Sequence, residues 1–409
     1  MSGNVNRVTI VTNNINCERH TQYYSTIEKY FILNNWNICT DFNVDKVIIT
    51  GCGFHDFMYD KVRKTVEAIK NSGIKEENII IMGCSTKTHE QDLESEFKGK
   101  VIGIHKENEL DQIINASVPF SDIDYINLFN FDKVSPNSQK NEYFFIKIAE
   151  GCLQQCNFCV IKKAKGYIKS KATEEITSQY KFAVENGYKK IFLMGEDTFA
   201  YGVDSNRTII ELIDELLEID SNVELYFGSL HCRWLLKYAD DLLRLCKKGV
   251  IKTIHMGLQH VNDAVLKRMG RVTEFNDIYN VISKIKKECP QITFSADIMV
   301  GFPGESQSDF KELIEFFKND TCFSMIQHFG YSDIKGAPST GFDGKVPTGV
   351  VGMRWNYLTE VLGSRSAYAK NSEPEYQLTH ENNYFICKDT FREPGKSILY
   401  GTHGGRADE

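Results

Sequence analysis

The chain has 409 residues, 42% hydrophobic and 25% charged, which excludes a disordered or fibrous protein and leaves room for two or three globular domains. Its formal net charge of −7 argues against a broad electrostatic grip on nucleic acid. Twelve cysteines without an amino-terminal secretory pattern point to a reducing, cytoplasmic setting rather than a disulfide framework, and no apolar run reaches the roughly eighteen residues of a membrane span.

In chain order, residues 7–11, 46–49 and 78–82 are short apolar runs, each followed by a polar, helix-like stretch. Such alternation predicts a parallel sheet with crossover helices. A cysteine stands at the end of each of these strands: Cys17, Cys52 and Cys84. The carboxyl ends of parallel strands share one crevice, so cysteines distant in sequence can converge there. In the Gly51-Cys52 and Gly83-Cys84 pairs the glycine lets the backbone come close to a bound group. The alternative is that these are ordinary buried cysteines, which is how Cys39, Cys232, Cys246, Cys289, Cys322 and Cys387 read.

A polar, turn-rich linker follows at 121–140, and then the alternation resumes. Strands are expected at 144–149, 190–194, 224–228, 253–257, 292–300 and 324–329, with helices at 174–185, 209–218, 274–288 and 308–319. Repeated strand-helix units of this length predict a full or partial (β/α) barrel over 141–370. The run EGCLQQCNFC places Cys152, Cys156 and Cys159 in the loop after its first strand, at the face where barrels carry their chemistry. Cys-x-x-x-Cys-x-x-Cys supplies three thiolates to a four-iron cluster and leaves one iron for an outside ligand, in this spacing usually S-adenosylmethionine (SAM). Zinc would favour paired Cys-x-x-Cys knuckles and a fourth Cys or His close by, and none follows Cys159. Further polar groups end the later strands. Gly195, Glu196 and Asp197 lie in LMGEDT, Gln259 in HMGLQH, and Val300, Phe302 and Pro303 in DIMVGFPGE, a set suited to holding an ammonium group, a ribose and an adenine.

With these residues in view, the chain resembles the radical SAM methylthiotransferases, which replace C–H by C–S–CH3 on transfer RNA or on a ribosomal protein. The resemblance runs from about Arg7 to about Lys370. It is carried by IAEGCLQQCNFCVIKKAKG, GEDTFAYGVD, LQHVNDAVLKRM and DIMVGFPGESQSDF, and by VIITGCGF and IIIMGCSTK in the amino-terminal part. GEDTFAYGVD and the His after Gln259 look most like the branch that modifies an aspartate of a ribosomal protein.

The resemblance implies an α/β fold: a flavodoxin-like amino-terminal domain (1–120), the linker, a partial radical SAM barrel (141–370) and a short extension (371–409). It implies two [4Fe-4S] clusters, one on Cys152, Cys156 and Cys159 binding SAM, the other an auxiliary cluster on Cys17, Cys52 and Cys84. By similarity Gly195, Glu196, Gln259, Val300 and Phe302 contact the cofactor, and a reductant such as flavodoxin or ferredoxin supplies the electron.

Two departures stand out. Asn16 precedes Cys17 where the family usually has glycine, with ERHTQYYS following, and after Lys370 only 39 residues remain where relatives carry a TRAM domain, with two short strand-like pieces, 384–388 and 397–400, expected to pack on the barrel. Together with the acidic balance this leads to the expectation of a peptide, protein or small-molecule substrate rather than nucleic acid. Transfer RNA or the ribosomal protein, sulfur insertion without methylation, and a non-catalytic iron–sulfur binding protein are the alternatives.

Overall fold

Parallel strands covered on both faces need apolar side chains in both directions, and the first strands have them. The computed structural model describes residues 5–12, 17–53, 56–123, 143–367, 377–381 and 384–388. Its amino-terminal sheet contains β1 (Arg7–Thr12), β2 (Asn37–Ile38), β3 (Lys46–Thr50), β4 (Ile79–Met82) and β5 (Lys100–Val101), all parallel, in the order β2-β1-β3-β4-β5. This is the flavodoxin order, with its switch point between β1 and β3. Val8, Ile10, Ile48 and Ile80 pack on one side with Tyr24, Ile27 and Phe31 of helix Glu18–Leu33; Val11, Val47, Ile49 and Ile81 pack on the other with Tyr59 and Val62 of helix Asp56–Asn71. Cys17 follows β1 and Cys52 follows β3, so the two flank the crevice that a switch point opens.

The second part begins with β6 (Tyr143–Lys147). The short β7 (Ala149–Glu150) pairs antiparallel with β8 (Lys169–Ser170), closing the base of the cysteine loop. Then follow β9 (Lys190–Met194), β10 (Glu224–Phe227), β11 (Thr253–Gln259), β12 (Thr293–Val300) and β13 (Phe323–Gly330). They form two parallel three-stranded sheets, β6-β9-β10 and β11-β12-β13, joined by a parallel bridge between Leu230 and Met256. The result is a partial barrel of six strands. On β11 Ile254 and Met256 join the core under the helices, so His255 and Gly257 face the barrel interior, and beyond Met256 the register with β12 shifts. The helices begin where local chemistry dictates: Thr208 with Glu211, and Ser306 with Asp309, form reciprocal capping boxes.

Element ends match the sequence expectations within about two residues, and the differences have local causes. The strand expected at 253–257 continues to Gln259, which takes φ +75°. Helices Cys232–Lys237, Ala239–Lys247 and Thr348–Leu362 were not expected from the pattern. The linker expected at 121–140 lies outside the described residues from 124 onward. Of the two strand-like pieces of the extension, 397–400 is also outside them. The other, β15 (Tyr384–Lys388), was expected on the barrel but pairs parallel with β1 at Val11 and Thr12, with β14 (Gln377–Glu381) antiparallel on its outer side. The reason lies in β2, which covers only Arg7 and Val8 and leaves the distal edge of β1 with open backbone groups. No helix among the described residues is long and apolar enough to cross a membrane.

One buried histidine gives the fold a pH signature. His328 on β13 is fully buried, bonds through Nε2 to Ser366 Oγ at 2.9 Å, and lies 4.9 Å from the Trp355 ring. Burial pushes it down to about 4 from an ordinary 6.5. The unfolded chain therefore takes up a proton that the folded chain refuses, so the contribution is complete above pH 6.5 and fades as pH falls toward 4. Wild type should lose roughly 3 kcal/mol more than His328→Gln across that window, read from urea midpoints at stepped pH.

Candidate functional site

The cysteine loop is shaped by the backbone before any side chain is considered. Gly151 takes φ +81°, and a β-carbon there would run into the Tyr167 carbonyl oxygen. The Cys152 N–H donates to Gly166 O at 3.1 Å and the Cys159 N–H to Cys156 O at 3.1 Å. Two sulfurs accept backbone N–H groups: Gln154 N lies 3.4 Å from Cys152 Sγ and Ile161 N 3.4 Å from Cys159 Sγ. Such N–H···S contacts are how a protein supports cluster-bound thiolates. Burial pushes Cys152 well up and Cys159 up to about 11, so neither is a ready nucleophile alone; iron coordination would reverse that by binding the deprotonated form. Among the described residues no three His, Cys, Asp or Glu side chains close around one metal ion. A cubane does not ask for that, since each of its cysteines binds a separate iron. The donor set and its N–H support fit a [4Fe-4S] group.

The loop is braced from three sides. Asn157 donates from its backbone to Met269 O at 2.9 Å and from Nδ2 to Arg268 O at 2.9 Å, and the Ser339 N–H donates to Asn157 O at 2.8 Å. Phe158 meets Phe302 edge to face at 6.5 Å. Asp197 is only 2% exposed; its Oδ2 accepts from Gln154 Nε2 at 2.7 Å and Leu153 N at 3.4 Å, and its Oδ1 from Trp234 Nε1 at 2.8 Å. Burial raises its pKa, with these hydrogen bonds opposing. The sequence offered Asp197 as a partner for a ligand; the structure uses both of its oxygens to hold the loop.

Glu196, expected to contact the cofactor, lies beside the same loop. Gly151 N–H donates to its Oε2 at 2.9 Å, and Arg19 Nε stands 3.5 Å from its Oε1. The Gly195 carbonyl accepts from Arg19 Nη1 at 3.2 Å and from Thr198 Oγ1 at 3.2 Å. Gln259 ends β11 at the barrel mouth, 7% exposed. Val300 and Phe302 are fully buried: the Val300 carbonyl accepts from Tyr331 N at 2.8 Å, and Phe302 packs against Phe158, Tyr331 and Phe342. Phe302 thus forms the floor under the cysteine loop.

The amino-terminal cysteines lie on the same side. Cys17 begins helix Glu18–Leu33, Cys52 is 7% exposed after β3, and Cys84 precedes helix Ser85–Thr88. The loops after β3 and β4 press together, with Gly51 N–H donating to Met82 O at 2.7 Å and Ser85 N–H to Gly51 O at 3.0 Å. Burial raises Cys84; the charges within its electrostatic reach are Lys165, Cys17, Glu196 and Arg19.

Lys165 ends the helix Ile161–Lys165 that follows Cys159 and lies within electrostatic reach of Cys84. Its Nζ is 2.7 Å from Glu150 Oε1 and 6.0 Å from the Tyr23 ring, and despite burial its pKa is raised by Cys84, Glu150 and Glu196. Burial works against Glu150, yet Lys165 and Lys147 hold it at about 2. Lys335 to Asp92 at 2.7 Å and Lys163 to Thr88 O at 3.4 Å also tie the two parts together. Arg19 and Lys165 were not identified from sequence, because the charges they answer are remote in the chain. Of the cysteines expected to be merely structural, Cys232, Cys246 and Cys289 are buried, Cys39 and Cys322 are half-buried, and Cys387 lies where side chains are not described.

The Radical SAM superfamily model matches residues 146–317. The chain is 30% identical over 336 residues to a ribosomal protein uS12 methylthiotransferase of Protochlamydia amoebophila, covering 78% of this chain and 68% of that one. It is also 30% identical over 284 residues to a probable threonylcarbamoyladenosine tRNA methylthiotransferase of Pyrococcus horikoshii, covering 66% of this chain and spanning 64% of that relative's length. Among solved structures, the radical SAM methyltransferase TsrM from Kitasatospora setae with tryptophan and a SAM analogue bound superposes with a TM-score of 0.57 at 12% identity, over 81% of this chain and 74% of that one.

Proposed function

The chain belongs to the radical SAM methylthiotransferase family, and from that premise we propose that it thiomethylates a C–H bond of a peptide or protein residue, or of a small metabolite. Enzymes of this family use SAM and [4Fe-4S] clusters. Cys152, Cys156 and Cys159 would hold the SAM-binding cluster; Cys17, Cys52 and Cys84 would hold the auxiliary one. Bound there, such clusters would supply the electron for reductive cleavage of SAM and the sulfur for the substrate carbon.

The chain's own residues do the rest. Asp197, Gln154 and Phe302 keep the first loop in place. Gln259 stands at the barrel mouth, at the end of β11. A reductant of the flavodoxin or ferredoxin kind and a reducing, cytoplasmic setting complete the reading.

The single observation that carries it is that one carboxylate joins the two cysteine groups: Glu196 Oε2 accepts the Gly151 N–H next to Cys152, and its Oε1 is 3.5 Å from Arg19 Nε, two residues after Cys17. Radical formation and sulfur delivery have to share one substrate carbon, and this arrangement favours that. Acidic net charge supports a peptide or small molecule over nucleic acid. A tRNA substrate is the second reading, favoured by the identity to the Pyrococcus relative.

Protein purified and reconstituted without oxygen is expected to bind about eight irons and as many sulfides per chain. Incubated with SAM, a reductant and either peptide pools or transfer RNA, it should yield a peptide or small-molecule product heavier by one methylthio group. A mass gain of sulfur alone would move the assignment to sulfur insertion, modified transfer RNA to the second reading, and absence of SAM cleavage would remove the enzyme.

A further inference from the structure

The chain is acidic overall, with a formal net charge of −7, yet cations stand around the solvent side of its cysteine loop. Lys162 follows Cys159 by three residues and turns back over the loop. Its Nζ lies 3.4 Å from Leu153 O, 3.3 Å from Gln154 O and 4.0 Å from the centre of the Tyr167 ring. That ring is 70% exposed, an unusual place for a large aromatic side chain. Gln155, next along the loop and directly before Cys156, is exposed as well.

The loop meets a second set of cations beyond Gln155. Gly270 is pressed against it, since a β-carbon there would lie 2.6 Å from Gln155 O. Beside it opens a surface hollow of about 520 Å³, lined by Asn157, Lys267, Arg268, Gly341, Phe342 and Asp343. The one acid in that lining, Asp343, is paired with Arg268, whose Nε also donates to Pro303 O at 2.8 Å. Lys267 is exposed at the rim. Lys162 therefore approaches the loop before Gln155 and Lys267 after it, with Tyr167 alongside.

A substrate has to reach the barrel mouth, where Gln259 stands; a partner that delivers only an electron needs no more than proximity to the loop. Redox encounters use small interfaces steered by opposite charge, and exposed tyrosine is typical of a contact surface. We propose that Lys162, Tyr167 and Lys267 form the docking surface for an acidic one-electron carrier protein. The carrier gives up one electron to the iron–sulfur group held by the loop, and no covalent bond forms or breaks at the surface. The assignment rests on the reading that Cys152, Cys156 and Cys159 hold such a group. Phosphates of a nucleic acid would also answer lysines, but a few cations on an acidic chain favour a small protein.

The test uses reconstituted full-length protein without oxygen and, as the probe, a bacterial flavodoxin with an acidic surface. Binding is followed by fluorescence anisotropy, and 5′-deoxyadenosine release is driven either by reduced flavodoxin or by dithionite, a small reductant that needs no docking. Lys267→Glu and Tyr167→Ala are each expected to weaken flavodoxin binding by about 10-fold, and Lys162→Met with Lys267→Glu by about 100-fold. The flavodoxin-driven rate should fall in step, while the dithionite-driven rate stays within about twofold of wild type. Wild-type affinity should drop as salt is raised, and the drop should be shallower in the double variant. Lys181→Glu, on the helix Thr173–Glu185, is the charge control and should bind flavodoxin as wild type does.

Flavodoxin binding unchanged in the double variant, an equal loss in Lys181→Glu, or a loss of transfer RNA binding with flavodoxin unaffected overturns the docking surface. Wild type that releases no 5′-deoxyadenosine even with dithionite would instead overturn the cluster reading on which it rests.

Discussion

Replacing Cys156 with alanine is expected to leave a folded protein with about half the wild-type iron and SAM cleavage at background, a loss of about a thousandfold or more, because a cubane held by only two thiolates is not retained. Cys52→Ala should behave in the opposite way: it should also lose about half the iron yet still cleave SAM, while forming no methylthio product. The contrast follows from position. Cys156 lies on the loop that Asp197, Asn157 and Phe158 brace against the barrel, whereas Cys52 lies beyond β3 in the separate amino-terminal sheet. Iron analysis, 5′-deoxyadenosine release and product mass read the three quantities independently. Retained cleavage in Cys156→Ala, or cleavage lost as completely in Cys52→Ala, would sink the division of labour between the two cysteine groups.

The second large effect lies under the GFPGE turn. Glu305 is fully buried; its Oε2 accepts the Gly301 N–H and its Oε1 is 3.3 Å from Arg354 Nη1, with His260 Nε2 at 3.9 Å. Arg354 is itself buried and also donates to the Glu305 carbonyl at 3.2 Å. Glu305→Ala would strand a guanidinium and a turn N–H without their carboxylate, at a cost of about 3–5 kcal/mol. In a chain of this size that corresponds to a fall of roughly 5 °C in Tm. Adding Arg354→Met, which removes the stranded charge and keeps the bulk, should return most of the lost stability. Urea unfolding of the two single variants and the double variant checks it; no recovery in the double variant would mean that the turn, not the charge pair, carries the cost. The turn matters because it sets Phe302 beneath Phe158 and so supports the cysteine loop from a distance.

The features legible in the sequence were those whose information is local. Cys152, Cys156 and Cys159 sit within one turn-rich segment, so their spacing alone states how many thiolates a cluster would find. The strand positions were legible because parallel strands covered on both faces need continuous apolar runs, and cysteines at three strand ends implied one crevice through the fold rule alone. The pairing of β15 with β1 could not be read, since it depends on how far β2 happens to cover that edge.

The roles of the polar residues were the harder part. Glu196 and Asp197 are neighbours of the same type in a motif that looks ligand-facing, yet each is satisfied by atoms far away in the chain: Arg19 for one, Trp234 for the other. By itself the sequence determined the chemistry of the loop and the alternation that builds the barrel, because both depend on neighbours within a few residues. Only the tertiary structure decided which buried charges are answered, because burial and hydrogen bonding are properties of contacts that the chain makes after it has folded.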